Sequence, residues 1–287
     1  MMDQVNILLA NNAIHKQYEE ILYVPRFKQR LAVVGAWSIP PGSRVLDIGV
    51  GQAIDPASLE YGSPYTLGEA QAMVLRAPLG SQITFKQADT ETFIKSLGGP
   101  ADAVFDAATF CHSLWYFPTL DLVKSAFKTL GDASTPAIYV AEYLTDDQVS
   151  LPDQKAHHLA AKAQAIFHAD VAARKTFQTQ GDVPAANIRA APDREFILQA
   201  AKAAGYVPVR QGVVTPEADY YEGHVEVNHV ITKFSKRVKE ANLDPAKEAE
   251  ILQYVPLVQK EWDESRERGL RHARCIDVWW AEFRLSA

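Results

Sequence analysis

The chain has 287 residues, of which 47% are hydrophobic and 22% are charged, and its formal net charge is −6. This composition is typical of a globular protein with a sizeable core, and its negative charge favours neither nucleic acid nor an anionic membrane as a partner. Two cysteines are too few for a disulfide framework, and no apolar run reaches the length of a membrane span. We therefore expect a cytoplasmic protein with a small-molecule partner, and the sequence leaves its oligomeric state open.

The amino-terminal part is predicted to be helical. Residues 13–37 show helical periodicity, and Pro25 is expected to divide them into two helices. Pro40-Pro41-Gly42 ends this part, and Arg44 to Ile48 form the first predicted strand.

Strands and helices then alternate. Further strands are predicted at 83–89, 103–108, 136–142, 206–210 and 275–283. Helices are predicted at 120–130, at 152–175, at 193–204, and from Asp244 to about Gly269 with a kink at Pro256. This rhythm favours an α/β fold, a mostly parallel sheet covered by helices on both faces. We expect one domain over 1–287, with a helical segment at 1–40, a cofactor-binding core at 41–144, a helical insertion or lid at 145–200, and a part at 201–287 that completes the sheet.

A glycine turn follows the first strand, in the run Asp47-Ile48-Gly49-Val50-Gly51. Glycines at this place let the backbone approach a nucleoside ligand where a side chain would clash. The dinucleotide fingerprint requires a third glycine where this chain has Ile54, and no Tyr-x-x-x-Lys pair occurs. A nicotinamide-dependent reductase is therefore the weaker alternative.

The run Val45 to Gly51 resembles motif I of the class I S-adenosylmethionine-dependent methyltransferases, of the type that acts on small molecules. The resemblance implies a Rossmann-like methyltransferase fold whose last strand is antiparallel. It also implies S-adenosylmethionine as cofactor and methyl transfer to a small-molecule acceptor in specialised metabolism. The cofactor-binding residues that it implies are Asp47, Gly49, Gly51, Asp55, Ala88, Asp89 and Cys111.

The same resemblance suggests residues for the acceptor. His112 could take a proton from the acceptor or could be a structural histidine beneath the site, and Glu142 could orient the acceptor. Trp115 and Tyr116 could wall the acceptor pocket or belong to the core. Tyr18 lies on the amino-terminal helix, which in this family closes over the cofactor.

One feature departs from the family pattern. The acid that binds the ribose hydroxyls should end the second strand, about 20 residues after the glycines. Asp55 has the sequence context of that acid but follows Gly51 by four positions, whereas Glu69 has nearly the right spacing in a poor strand. If Asp55 is the ribose acid, the crossover helix after the first strand is missing, through an artefact of the gene model or a real deletion. A binding or scaffolding protein with impaired catalysis is then the alternative function.

Three histidines, His157, His158 and His168, lie on one predicted helix. The first two are adjacent, so they point to different faces of the helix, and no carboxylate completes a metal set. We expect a solvated helix surface here and no metal site.

Overall fold

The computed structural model describes Gln4 and residues 19–49, 67–97, 105–146, 149–174 and 188–286. Within these residues five strands form one sheet in the order β1-β2-β3-β5-β4. The strands are β1 (Val45–Asp47), β2 (Ala107–Cys111), β3 (Ala137–Tyr143), β4 (Tyr206–Val214) and β5 (Val278–Leu285). The first three are parallel, and β5 pairs antiparallel with both β3 and β4. The α/β fold and its antiparallel last strand are therefore confirmed.

Ten α-helices surround this sheet in the described part of the chain. They are α1 (Val24–Ala36), α2 (Leu67–Arg76), α3 (Thr90–Ser96), α4 (Leu120–Asp132), α5 (Lys155–Arg174), α6 (Arg194–Ala203), α7 (Glu222–His229), α8 (Ser235–Glu240), α9 (Pro245–Leu252) and α10 (Tyr254–Glu267). A π-helical turn over Glu19–Tyr23 precedes α1, and a second over Val230–Phe234 joins α7 to α8. Asp193 and Asp244 cap α6 and α9 through their carboxylates.

The central strand β3 shows why the sheet is covered on both faces. Every residue from Ala137 to Tyr143 is buried. Alternate side chains enter two different clusters: Ile138 and Val140 pack with α4 and α6, while Tyr139 and Tyr143 pack on the opposite face. Side chains of a strand alternate between its two faces, so burial on both faces requires a continuous apolar run.

A third apolar cluster forms a helical layer. It joins α5 to α7, α8, α9 and α10, with Phe167, Val227, Phe234 and Trp262 among its buried members. The helices between β4 and β5 therefore pack on the segment that the sequence assigned to an insertion.

Several predicted boundaries differ from the structure. Ile83 to Gln87 form no strand, since no described strand lies beside them to pair with their backbone. The second parallel strand begins at Ala107 rather than 103. Pro256 produces no kink within a long helix, because α9 ends at Leu252 and Pro256 occupies the first turn of α10, where its missing N–H is not needed.

Candidate functional site

The carboxyl end of β1 contacts β2 through side chains and backbone. Asp47 pairs in register with Thr109, and the Thr109 hydroxyl donates a hydrogen bond of 2.7 Å to Asp47 Oδ1. The backbone N–H of Ile48 donates to Thr109 O at 2.9 Å, which extends the pairing to the start of the glycine turn. The Asp47 carboxylate is therefore fixed at the sheet edge while remaining exposed to solvent.

Gly49 is required by its own geometry. Its φ of +78° lies in the left-handed region, and a Cβ at this position would lie 2.6 Å from Ser113 Cβ. The turn after β1 thus packs directly on the segment after β2, and any side chain at position 49 would push the two apart.

Other predicted cofactor residues lie elsewhere or outside the described residues. Tyr18, Gly51 and Asp55 are among the residues that the structure does not describe, as is the connection between Gly51 and Asp55. Glu69 lies in the first turn of α2 rather than at the end of a strand.

Ala88 and Asp89 lie at the start of α3, and both are exposed. The Asp89 carboxylate accepts hydrogen bonds from the Thr92 backbone and hydroxyl, both at 2.8 Å, and these bonds lower its pKa. Asp89 therefore serves as a helix cap, and its role in cofactor binding stays a prediction.

The segment after β2 turns sharply at His112. Its φ is +53°, its side chain is buried, and its N–H donates to Ala141 O of β3 at 2.8 Å. A 3₁₀ turn over Leu114–Tyr116 follows, in which Trp115 is buried and Tyr116 is 41% exposed. Burial raises the pKa of the neighbouring Cys111 thiol to about 11, which makes it a poor nucleophile.

Glu142 organises this segment from β3. Its Oε2 accepts the backbone N–H groups of Leu114 at 2.9 Å and Trp115 at 3.3 Å, while Oε1 accepts its neighbour Tyr143 N–H at 3.1 Å. The side chain is only 1% exposed, and its burial raises its pKa to about 8 despite these three donors. At neutral pH the carboxyl group is therefore largely protonated.

His112 and Glu142 are adjacent but are not an ion pair. His112 Nδ1 lies 3.8 Å from Glu142 Oε1. Burial, with a contribution from Arg30, lowers the His112 pKa to about 3, so the imidazole is neutral where the neighbouring acid is protonated. An imidazole with this pKa accepts a proton only weakly at neutral pH.

Sequence reasoning missed Arg30, which lies between the two predicted subsites. Partial burial works to lower the pKa of this arginine, but Cys111, Tyr220 and Glu222 outweigh that effect and raise it. Arg26, one turn earlier on α1, forms an ion pair with Glu222 at 2.5 Å. The spacing of the two arginines, four residues apart on one helix, was the available signal, since it places both on the same face.

Tyr143 is the centre of a buried aromatic cluster. Its ring centroid lies 4.6 Å from that of His112, 4.7 Å from Trp115 and 5.8 Å from His157. Its hydroxyl lies 3.1 Å from that of Tyr220. We call these five residues, His112, Trp115, Tyr143, His157 and Tyr220, the Tyr143 cluster.

The predicted solvated histidine face is wrong, because His157, His158 and His168 are all buried. The helix that carries them lies beneath α7 and α10 in the helical layer, so tertiary packing covers it. His157 Nδ1 accepts the backbone N–H of Ile276 at 3.1 Å, and burial lowers its pKa to about 3.

His157 should make the protein sensitive to acid. A histidine whose pKa is lowered from 6.5 to about 3 contributes stability that is present above pH 6.5 and lost as the pH falls toward 3. We expect this residue to account for about 2 kcal/mol of the unfolding free energy that the protein loses between pH 7.5 and pH 5.0. His157→Asn keeps an acceptor for Ile276 N–H but does not titrate. Urea unfolding at both pH values should show a smaller loss for the variant, and an equal loss would contradict this role.

The described part of the chain contains neither a metal-ligand cluster nor a helix suited to a bilayer. Among the described side chains, no group of three or more His, Cys, Asp or Glu is placed to hold a metal ion. No described helix combines the length and apolar character needed to cross a bilayer. Both cysteines are free thiols.

Comparison with known proteins gives relatives of nearly full length. No family model matches the chain. Two proteins of Diaporthe leptostromiformis, methyltransferase phomM' and methyltransferase phomM, are each 35% identical to it, with alignments that cover 98% of this chain and 89% of theirs. The crystal structure of a cyclopropane-fatty-acyl-phospholipid synthase-like protein from Lactobacillus casei is 22% identical, covers 99% of this chain and 100% of its own, and superposes with a TM-score of 0.70. This last likeness supports the fold.

The alignment with the Diaporthe proteins extends over 344 positions, although this chain has only 287 residues. The relatives therefore carry residues with no counterpart here. Because nearly the whole of this chain is aligned, some of those residues fall inside the aligned region.

Proposed function

Because this chain belongs to the class I S-adenosylmethionine-dependent methyltransferase family, we propose that it binds S-adenosylmethionine at the carboxyl end of β1 and methylates a small molecule held beside β2 and β3. The observation that carries the cofactor assignment is the turn after β1. Asp47 is fixed there by Thr109, and Gly49 leaves no room for a side chain against Ser113. In open α/β sheets, ligands bind outside the carboxyl ends of the parallel strands.

The described residues suit the cofactor. The exposed Asp47 carboxylate can accept hydrogen bonds from the cationic amino group, and glycine at position 49 permits the left-handed turn that packs on Ser113. Cys111 lies next to this end of the sheet with a protonated thiol, a weakly polar contact for the cofactor. Bound S-adenosylmethionine supplies an electrophilic methyl group on a sulfonium.

The residues of this chain contribute mainly by positioning. Glu142 holds the 3₁₀ turn that carries Trp115, and the Tyr143 cluster offers a wall that excludes water from one side of the acceptor. Holding two reactants in line at contact distance removes much of the barrier of a bimolecular displacement. His112, with its low pKa, would be a weak base and is better suited to packing beneath the acceptor.

Two other functions are less well supported. Both Diaporthe relatives are named methyltransferases, which favours neither a nicotinamide-dependent reductase nor a scaffolding protein. The free thiols of Cys111 and Cys275 support a reducing compartment such as the cytoplasm. A role in specialised metabolism is the one that the resemblance of motif I implies.

Substitution of Asp47 tests the cofactor site. We expect Asp47→Asn to weaken binding of S-adenosylhomocysteine about tenfold or more in calorimetry, because a charge-assisted hydrogen bond is lost. Asp121→Asn is the matched control, since Asp121 is a solvent-exposed acid on α4. Folded wild-type protein that binds neither S-adenosylmethionine nor its product at millimolar ligand would overturn the proposal.

A further inference from the structure

The Tyr143 cluster contains buried polar atoms without partners. Both ring nitrogens of His112, Trp115 Nε1, His157 Nε2 and the hydroxyl of the adjoining Ser113 make no hydrogen bond to any described residue. Proteins pair nearly all of their buried donors and acceptors, with protein groups, ordered water or ligands. Because several of these atoms lie in one cluster beside the predicted cofactor turn, we take the cluster as a candidate ligand site.

Two of these atoms can only donate. An indole N–H has no lone pair to offer, so Trp115 Nε1 requires an acceptor. His157 Nδ1 already accepts the N–H of Ile276, and therefore the proton of the neutral ring is on Nε2. The ring centroids of these two residues lie 6.2 Å apart, and both residues contact Tyr143.

The charges around the cluster allow an electron-rich ligand group. The Glu222 carboxylate is paired with Arg26, and Glu226 accepts a hydrogen bond of 2.7 Å from Gln164. Arg30 carries a positive charge beside Tyr220 and Cys111. Glu142 accepts three backbone N–H groups, so most of its lone pairs are already committed.

We propose that the methyl acceptor presents a carbonyl-type oxygen, from a carboxylate, an amide or a ketone, to the indole N–H of Trp115 and the Nε2–H of His157. The proposal rests on the proposed function, since it names the kind of molecule that this methyltransferase holds. An oxygen with two lone pairs satisfies both donors at once, and the rings of Tyr143 and Trp115 pack against the apolar body that carries it. Trp115 and His157 act here as specificity-determining residues.

Nuclear magnetic resonance of the indole N–H groups tests this site directly. The chain has five tryptophans, so ¹⁵N-labelled protein gives five indole peaks. Trp115 and Trp279 are both 2% exposed, but the Trp279 indole donates to Gln211 Oε1 at 3.1 Å. Trp279 is therefore a matched internal control, and Trp115→Phe and Trp279→Phe identify the two peaks.

The probes are phenylacetate, phenylacetamide and toluene, added at millimolar concentration with and without saturating S-adenosylhomocysteine. We expect phenylacetate or phenylacetamide to move the Trp115 peak and leave the Trp279 peak in place, while toluene moves neither. The difference between the two oxygen-bearing probes tells a carboxylate preference from a neutral carbonyl. We expect Trp115→Phe and His157→Asn each to weaken binding of the better probe about tenfold, the value of one buried hydrogen bond.

Three results would overturn the inference. The first is a Trp115 peak that no probe moves, and the second is a Trp115 peak that toluene moves as strongly as the oxygen-bearing probes do. The third is a transfer of magnetisation from a trapped water to the Trp115 indole N–H that persists with every probe present. Calorimetry with S-adenosylhomocysteine separates this inference from the proposed function. Cofactor binding with an unmoved Trp115 peak overturns only the acceptor site, whereas a moved peak without cofactor binding overturns the methyltransferase assignment and leaves a carbonyl-binding site whose ligand is not a methyl acceptor. If Trp115→Phe fails to fold, probe binding by His157→Asn and the titrations of the wild-type protein still test the inference.

Discussion

Glu142→Ala is expected to destabilise the protein by about 3 kcal/mol or more, because three backbone N–H groups lose their buried acceptor and each costs about 1–3 kcal/mol. Those donors belong to Leu114, Trp115 and Tyr143, so the 3₁₀ turn beside the predicted acceptor site should also lose its position. Urea unfolding at pH 7 measures the free energy, and methyl-transfer assays should show activity falling with it. The exposed Glu91→Ala on α3 is the control and should change stability by less than about 0.5 kcal/mol.

Glu142→Gln separates the hydrogen-bonding role of this side chain from the effect of its ionisation. A glutamine oxygen can still accept the N–H groups of Leu114 and Trp115. Its amide nitrogen would face the N–H of Tyr143 and cannot accept it, so we expect a loss of only about 1–2 kcal/mol in the free energy of unfolding. The wild-type pKa is raised from 4.5 to about 8, so this carboxyl contributes stability that is present below pH 4.5 and lost as the pH rises toward 8. Between pH 6 and pH 7.5 the free energy of unfolding of the wild-type protein should thus fall by about 2 kcal/mol because of this residue, and that of the variant should not. Equal pH dependence would show that Glu142 is ionised in the fold.

Gly49→Ala is expected to weaken S-adenosylhomocysteine binding more than tenfold and to reduce stability by about 2–4 kcal/mol. A φ of +78° costs a non-glycine residue about 1–2 kcal/mol, and the new Cβ would lie 2.6 Å from Ser113 Cβ. Relief of that contact should move the turn away from the segment after β2. Calorimetry and urea unfolding give the two quantities.

Ser113→Gly provides the matched partner for a double-mutant cycle. In Gly49→Ala/Ser113→Gly the steric contact is gone and only the backbone cost remains, so the double variant should recover about 1–2 kcal/mol of the stability lost by Gly49→Ala. Binding should recover in part for the same reason. If Gly49→Ala binds the cofactor as well as wild type does, the turn after β1 does not contact it.

The sequence predicted the parts of the fold that depend on local pattern. Val45 to Asp47, Ala137 to Tyr143 and the strong final strand were all predicted as strands and are strands, although β1 is exposed at Val45 and Asp47 while the other two are mostly buried. The helix start at Asp244 was readable because a capping side chain acts within three residues of its own position. The strand predicted at 83–89 is wrong, because a strand exists only if another strand pairs with it, which no local pattern specifies.

The candidate site also has features that the sequence predicted and features that only the tertiary structure showed. The sequence alone predicted the strand, the glycine turn and the family resemblance, since these follow from neighbouring residues, whereas the contact of Gly49 with Ser113 and the exposure of Asp47 were shown by the tertiary structure. It also pointed to Glu142 and His112. Only the tertiary structure showed that their ionisation is inverted, because burial lowers the histidine pKa and raises that of the acid.

The remaining site residues were decided by tertiary contacts. Tyr220 and His157 come from segments far apart in the chain and meet at Tyr143 only through tertiary packing, which also brings Arg30 of α1 near Tyr220 and Cys111. The same packing buries the histidine helix that the sequence placed in solvent. Burial and electrostatic environment are sums over neighbours that are distant in sequence, whereas turn geometry and capping are local, and so the chain's motif could be read from the sequence while the chemistry of its pocket could not.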